Sequence, residues 1–73
     1  MNRFIVNRNP QPVTADHEVH NVTAGCRYLP NPENRIDLGM HASCREAVST
    51  AKVRWPGKRI NGCYYCARPC HTS

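Results

Sequence analysis

Cys63-Tyr64-Tyr65-Cys66, entered through the turn dipeptide Asn61-Gly62 and followed by Cys70-His71, constrains this chain more than any other stretch. Two thiols held two residues apart on a tight turn grip one metal ion from a single loop, the usual half of a zinc site. The other half has to come from upstream, where His20 and Cys26 are the best candidates. A chain of 73 residues needs such a staple. At that size only about 60% of the unfolded surface is buried on folding. The strongest core formers are six Val, three Ile, two Leu and one Phe, 12 of 73 residues, below the ~20% at which a charged chain is suspected of disorder. Small scaffolds of this kind are closed by disulfides, a metal or a partner subunit.

Five cysteines cannot all pair within one chain. The segment Met1-Asn2-Arg3-Phe4-Ile5-Val6 lacks the apolar run and cleavage site of a secretory signal, which reads as a cytoplasmic chain. In a reducing compartment the thiols are expected as metal ligands or free groups rather than a disulfide framework. No apolar segment approaches the ~20 residues needed to span a membrane, so no membrane partner is expected.

In chain order, Phe4-Ile5-Val6 is a β-prone run stopped by Asn9-Pro10-Gln11-Pro12, and it predicts a strand over residues 3–8. Asp16 to Val22 is a second strand, with His17, Val19 and Asn21 on one face and Glu18, His20 and Val22 on the other. Thr23 to Asn34 is a loop carrying Gly25, Pro30 and Pro32, with Cys26 inside it. Arg35 to Met40 alternates through Ile36, Leu38 and Met40 as a half-buried strand, where Gly39 marks a bulge or close packing.

Ser43-Cys44-Arg45-Glu46 has the form of a capping box, in which the Ser43 hydroxyl and the Glu46 carboxylate exchange bonds with each other's amides. Cys44, Ala47, Val48, Ala51 and Trp55 then recur with helical period, and Pro56-Gly57 stops the helix at Trp55. The expected fold is a single α+β domain over 1–73. A short antiparallel sheet of two to three strands packs on one helix, and a zinc ion in the closing Cys-x2-Cys loop staples it.

A structural zinc prefers four tetrahedral ligands, and His20-x5-Cys26 with Cys63-x2-Cys66 supplies two from each of two short loops or strand ends. Cys70 or His71 alone could replace an upstream ligand. His17 competes with His20, since strand alternation lets only one of them face the metal. Cys44, on the inner helix face, is read as a small apolar core residue. A reactive thiol at a helix N-terminus is the sharper alternative, without a nearby base to support it.

This order of parts resembles the Ada-type metal-binding fold. The residues that carry the resemblance are His20, Cys26, Asn34-Arg35-Ile36, Ser43, Glu46-Ala47, Cys63 and Cys66. Versions with a leading His are similar to small zinc modules appended to some bacterial nucleases, and short stand-alone bacterial proteins carry a similar Gly-Cys-x2-Cys tail. In the Ada-type domain the first ligand is a thiolate that accepts a methyl group from DNA. His20 stands there in this chain, so the resemblance implies a metal site without methyl transfer. The His-to-Cys spacing is longer than in the nuclease-appended modules, and no nuclease segment accompanies it.

The net charge of +5 is unevenly placed. Through Glu46 five Arg balance five acids, and all the excess lies in Lys52, Arg54, Lys58, Arg59 and Arg68. With Tyr64 and Tyr65 between the thiols, these residues are candidate nucleic-acid contacts, a stacked base being worth about 1 to 3 kcal/mol. The alternative is a protein-interaction module in which zinc only holds the shape. No paired nucleophile and base, phosphate-cradling glycine loop or close pair of acids points to an enzyme or a small-molecule substrate.

Overall fold

The computed structural model describes residues 1–72. Its elements run β1 (Asn2–Asn7), β2 (His17–Asn21), β3 (Arg35–His41), α1 (Cys44–Arg54) and β4 (Ile60–Gly62), with 3-10 turns at Pro32–Asn34 and Arg68–Cys70. The sheet has four strands in the order β3-β1-β2-β4 and is mixed. β1 pairs antiparallel with β2 and β3, whereas β2 and β4 are parallel. This corrects the expected antiparallel sheet of two to three strands. β3 and β4 run the same way at opposite edges, so α1 is the crossover that carries the chain across one face.

That face holds the main core. Phe4, Val6, Val19, Leu38, Ala47 and Ala51 are buried together, with Ile36, Cys44, Val48, Trp55 and Ile60 packed around them. The helical period expected from Cys44 to Trp55 is the face that docks. Met40 leaves the predicted stripe: the β1–β3 register shifts between Phe4 and Ile5, and Gly39 takes φ +86° opposite Phe4. The extra residue of a bulge reverses the facing of the residues beyond it, so Met40 pairs with Arg3 and is exposed.

The helix start also departs from expectation. Ser43 has the extended N-cap backbone but makes no side-chain capping bond. Glu46 Oε1 accepts instead from the Ala42 amide at 3.2 Å and lies 3.5 Å from His41 Nδ1. The reciprocal box is replaced by one carboxylate that serves the preceding residues.

β4 falls on residues read as a turn. Asn61 is buried, its side-chain amide donates to Asp16 Oδ2, and its Oδ1 accepts from the amides of Gly62 and Thr72. Gly62 is required by packing: a Cβ there would come within 2.7 Å of the Ala67 carbonyl oxygen and of Cys70 Cβ. Among the described residues, no helix is long and apolar enough to cross a membrane.

Candidate metal centre

The candidate ligands gather on the sheet face opposite α1. Strand alternation sends Val19 into the core and His20 the other way, beside its cross-strand partner Ile5. His20 is 1% exposed. After β2 the chain turns at once: the Val22 amide donates to the Arg3 carbonyl, the Ala24 amide to Asn21 Oδ1 and the Gly25 amide to the Val22 carbonyl. Gly25, at φ +80°, then leads directly into Cys26.

The second pair comes from the end of β4. The Cys63 amide donates to the Val19 carbonyl, extending the parallel ladder by one bond, and the Ala67 amide closes the loop onto the Cys63 carbonyl. Two further amides point at sulfur: Tyr65 N–H to Cys63 Sγ at 3.4 Å and Asn21 N–H to Cys66 Sγ at 3.3 Å. Such donors favour a thiolate at those positions.

One ligand atom from each of His20, Cys26, Cys63 and Cys66 lies within 4.8 Å of all the others. Cys26 Sγ and Cys63 Sγ are 3.8 Å apart, and Cys66 Sγ is 3.5 Å from His20 Nδ1. For metal–sulfur bonds of ~2.3 Å, the edge of a tetrahedron between two sulfurs is about 3.8 Å. The group therefore has the composition and dimensions of a Cys3His site, and could hold a metal ion.

Burial raises the pKa of Cys63 and of Cys66 and lowers that of His20 to about 4, Arg35 adding to the last effect. Left to themselves these groups are neutral donors facing one another, and a cation at their centre favours the deprotonated thiols.

His17, Cys70 and His71, the alternative ligands, are placed elsewhere. His17 Nδ1 lies 3.0 Å from the Asn7 carbonyl oxygen, and His71 Nδ1 3.0 Å from that of Gly62. Cys70 forms a disulfide with Cys44, tying the C-terminal 3-10 turn to the start of α1. This corrects the readings of Cys44 as a free core thiol and of the cysteines as ligands or free groups alone. Cys26, Cys63 and Cys66 remain free.

A Cys3His set uses three of five cysteines and leaves an even pair, the one signal that pointed to the disulfide. A second unanticipated neighbour is Glu18, whose Oε1 lies 3.8 Å from His20 Nε2, the ring nitrogen opposite the one that faces Cys66 Sγ. The alternation that put Glu18 and His20 on one face contained that information.

The C-terminal cations are divided. Arg59 Nε pairs with Asp16 at 2.9 Å. Arg54 donates to the Asp37 carbonyl and lies over Trp55. Arg68 sits 4.9 Å from the Tyr64 ring centre. Lys52 and Lys58 are exposed, as are Tyr64 and Tyr65.

Compared with known protein families, curated proteins and solved structures, the chain matches none.

Proposed function

We propose that this chain is a structural zinc module serving interaction rather than catalysis. His20, Cys26, Cys63 and Cys66 hold one Zn2+ and close the fold around it. The observation that carries this reading is the mutual approach of the four ligand atoms within 4.8 Å. Thiolates with an imidazole in tetrahedral array suit zinc among the common metals. Four protein ligands leave no open position for an activated water, which supports a non-catalytic role. The resemblance to the Ada-type fold runs in the same direction, with His20 in place of the methyl-accepting thiolate.

Of the two roles left open by the sequence, the placement of charge supports protein interaction over nucleic acid. Arg59 is committed to Asp16, Arg54 to Trp55 and a backbone carbonyl, and Arg68 to the Tyr64 ring. That takes three of five cations out of a phosphate-binding strip, and backbone neutralisation is what dominates nucleic-acid affinity. The module instead offers exposed tyrosines around the metal loop.

Native mass spectrometry of the purified chain, with His20→Ala and Cys66→Ala alongside, tests the metal reading. The expected result is one zinc per chain, lost in both variants. A folded chain that takes up no metal would overturn it.

A further inference from the structure

Beside the metal loop lies a cavity of about 330 Å3 lined by Gln11, Glu18, Tyr28, Cys63, Tyr64 and Tyr65. Its walls are of two kinds. Tyr28 and Tyr65 stack with ring centres 4.4 Å apart and planes 26° from parallel, and Tyr64 meets Tyr65 edge-on at 5.1 Å. Tyr28, Tyr65 and Tyr64 are 50%, 64% and 44% exposed. Opposite in chemistry is Glu18, whose side chain is 18% exposed. Among the described residues its carboxylate makes no hydrogen bond, and His20 Nε2 lies 3.8 Å from Oε1, beyond hydrogen-bonding distance.

Aromatic rings with a carboxylate make a site that is electronegative without being an anion trap. Ring faces attract cations through their quadrupole, and the attraction grows as the site is withdrawn from water. The chain already uses one of these rings in that way, since the Arg68 guanidinium lies over Tyr64. A phosphate would meet Glu18 at like charge. An apolar ligand would leave the carboxylate and the Gln11 amide unanswered.

We infer that the cavity walled by Tyr28, Tyr64, Tyr65 and Glu18 is a binding site for an organic cation, an alkylated ammonium group held by ring faces and one carboxylate. The inference rests on the metal-stapled interaction module through its walls, because the loop from Cys63 to Cys66 presents Tyr64 and Tyr65. The same ammonium chemistry occurs on small free molecules and on methylated lysine side chains, and the two sources are separable.

The test follows the tyrosine ring resonances of the purified zinc-loaded chain by NMR. The titrants are choline, its uncharged tert-butyl isostere, and a short peptide carrying trimethyllysine. Choline should bind at least about fivefold more tightly than the isostere. Tyr28→Ala and Glu18→Gln, both on the wall, should each weaken choline by a similar factor while zinc stoichiometry is retained. A peptide that binds more tightly than choline supports a protein side chain as the source, and the reverse order supports a free small molecule.

Equal binding of choline and the isostere would overturn the site, as would ring shifts produced only by a single-stranded oligonucleotide. A zinc-loaded, folded chain that binds no cation sinks the pocket and leaves the metal reading intact. Cation binding by a folded, metal-free chain does the opposite.

Discussion

Cys66 Sγ lies 3.5 Å from His20 Nδ1 across 46 positions of sequence. The thiol comes from the loop after β4 and the imidazole from β2, and the parallel pairing of those strands brings them together. A chain with few core formers holds its most distant segments through this contact and its companion between Cys26 and Cys63. In small zinc domains the binding free energy, on the order of 10 kcal/mol, is folding free energy. Chelation should therefore abolish the cooperative thermal transition seen by circular dichroism, and zinc should restore it. An unchanged melt after complete chelation would show that the sheet and helix suffice alone.

The Cys44–Cys70 disulfide is a separate staple. It spans 26 residues, a loop for which chain entropy gives a stabilisation of about 3.5 kcal/mol. The double variant Cys44→Ser, Cys70→Ser should lose roughly that much in urea denaturation and keep its metal. Thiol titration of the denatured, chelated chain should find three reactive thiols before reduction and five after. Five before reduction would mean that the bond is absent.

How much of this was legible depended on how local each signal was. His20, Cys26 and the Cys63-x2-Cys66 pair stand out by residue type and short spacing, and the helix by a period that needs no partner. β4 did not: Ile60–Gly62 is too short to show alternation, and its pairing with β2 is set by the crossover of α1. The Asn61-Gly62 dipeptide looked like a turn because Asn and Gly are turn formers. Here Asn61 is a buried polar hub and Gly62 yields space to Ala67 and Cys70. Met40 falls off the stripe that alternation predicts because one bulge reverses every facing after it. Arg59 and Asp16, 43 residues apart, form a pair that charge counting along the chain could not reveal.

Metal uptake should release protons. Burial raises the pKa of Cys63 and Cys66, so both thiols carry protons in the empty site at neutral pH and give them up when a metal binds. His20 has its pKa lowered to about 4, so its imidazole is already neutral. Affinity should therefore rise with pH through neutrality. Calorimetric titrations with zinc in two buffers of different ionisation enthalpy should give heats that differ in proportion to the protons released. Heats independent of the buffer would exclude protonated thiols in the empty site.

Labelled DNA, single- or double-stranded, should bind only at low salt and be lost at moderate salt. Three of the five C-terminal cations already have partners within the chain, and few phosphate contacts mean modest affinity. A fluorescence anisotropy titration checks this. Tight binding that persists at moderate salt, weakened by Arg68→Ala and Lys58→Ala, would restore nucleic acid as the partner.

Gly62 links the two staples and gives the sharpest structural prediction. An added Cβ would fall 2.7 Å from the Ala67 carbonyl oxygen, which belongs to the metal loop, and from Cys70 Cβ, which belongs to the disulfide. The Ala67 carbonyl is backbone, and the disulfide anchors Cys70 to α1, so neither can swing aside as a flexible side chain would. Gly62→Ala should cost about 1 to 3 kcal/mol, the usual range for overpacking a filled site. It should also weaken zinc retention against a competing chelator, because relief requires the loop from Cys63 to Cys66 to move. Gly57→Ala meets nothing within 4 Å and should stay within about 0.5 kcal/mol of the parent. Equal stability and equal zinc retention in the two variants would show that β4 does not approach the C-terminal turn as described.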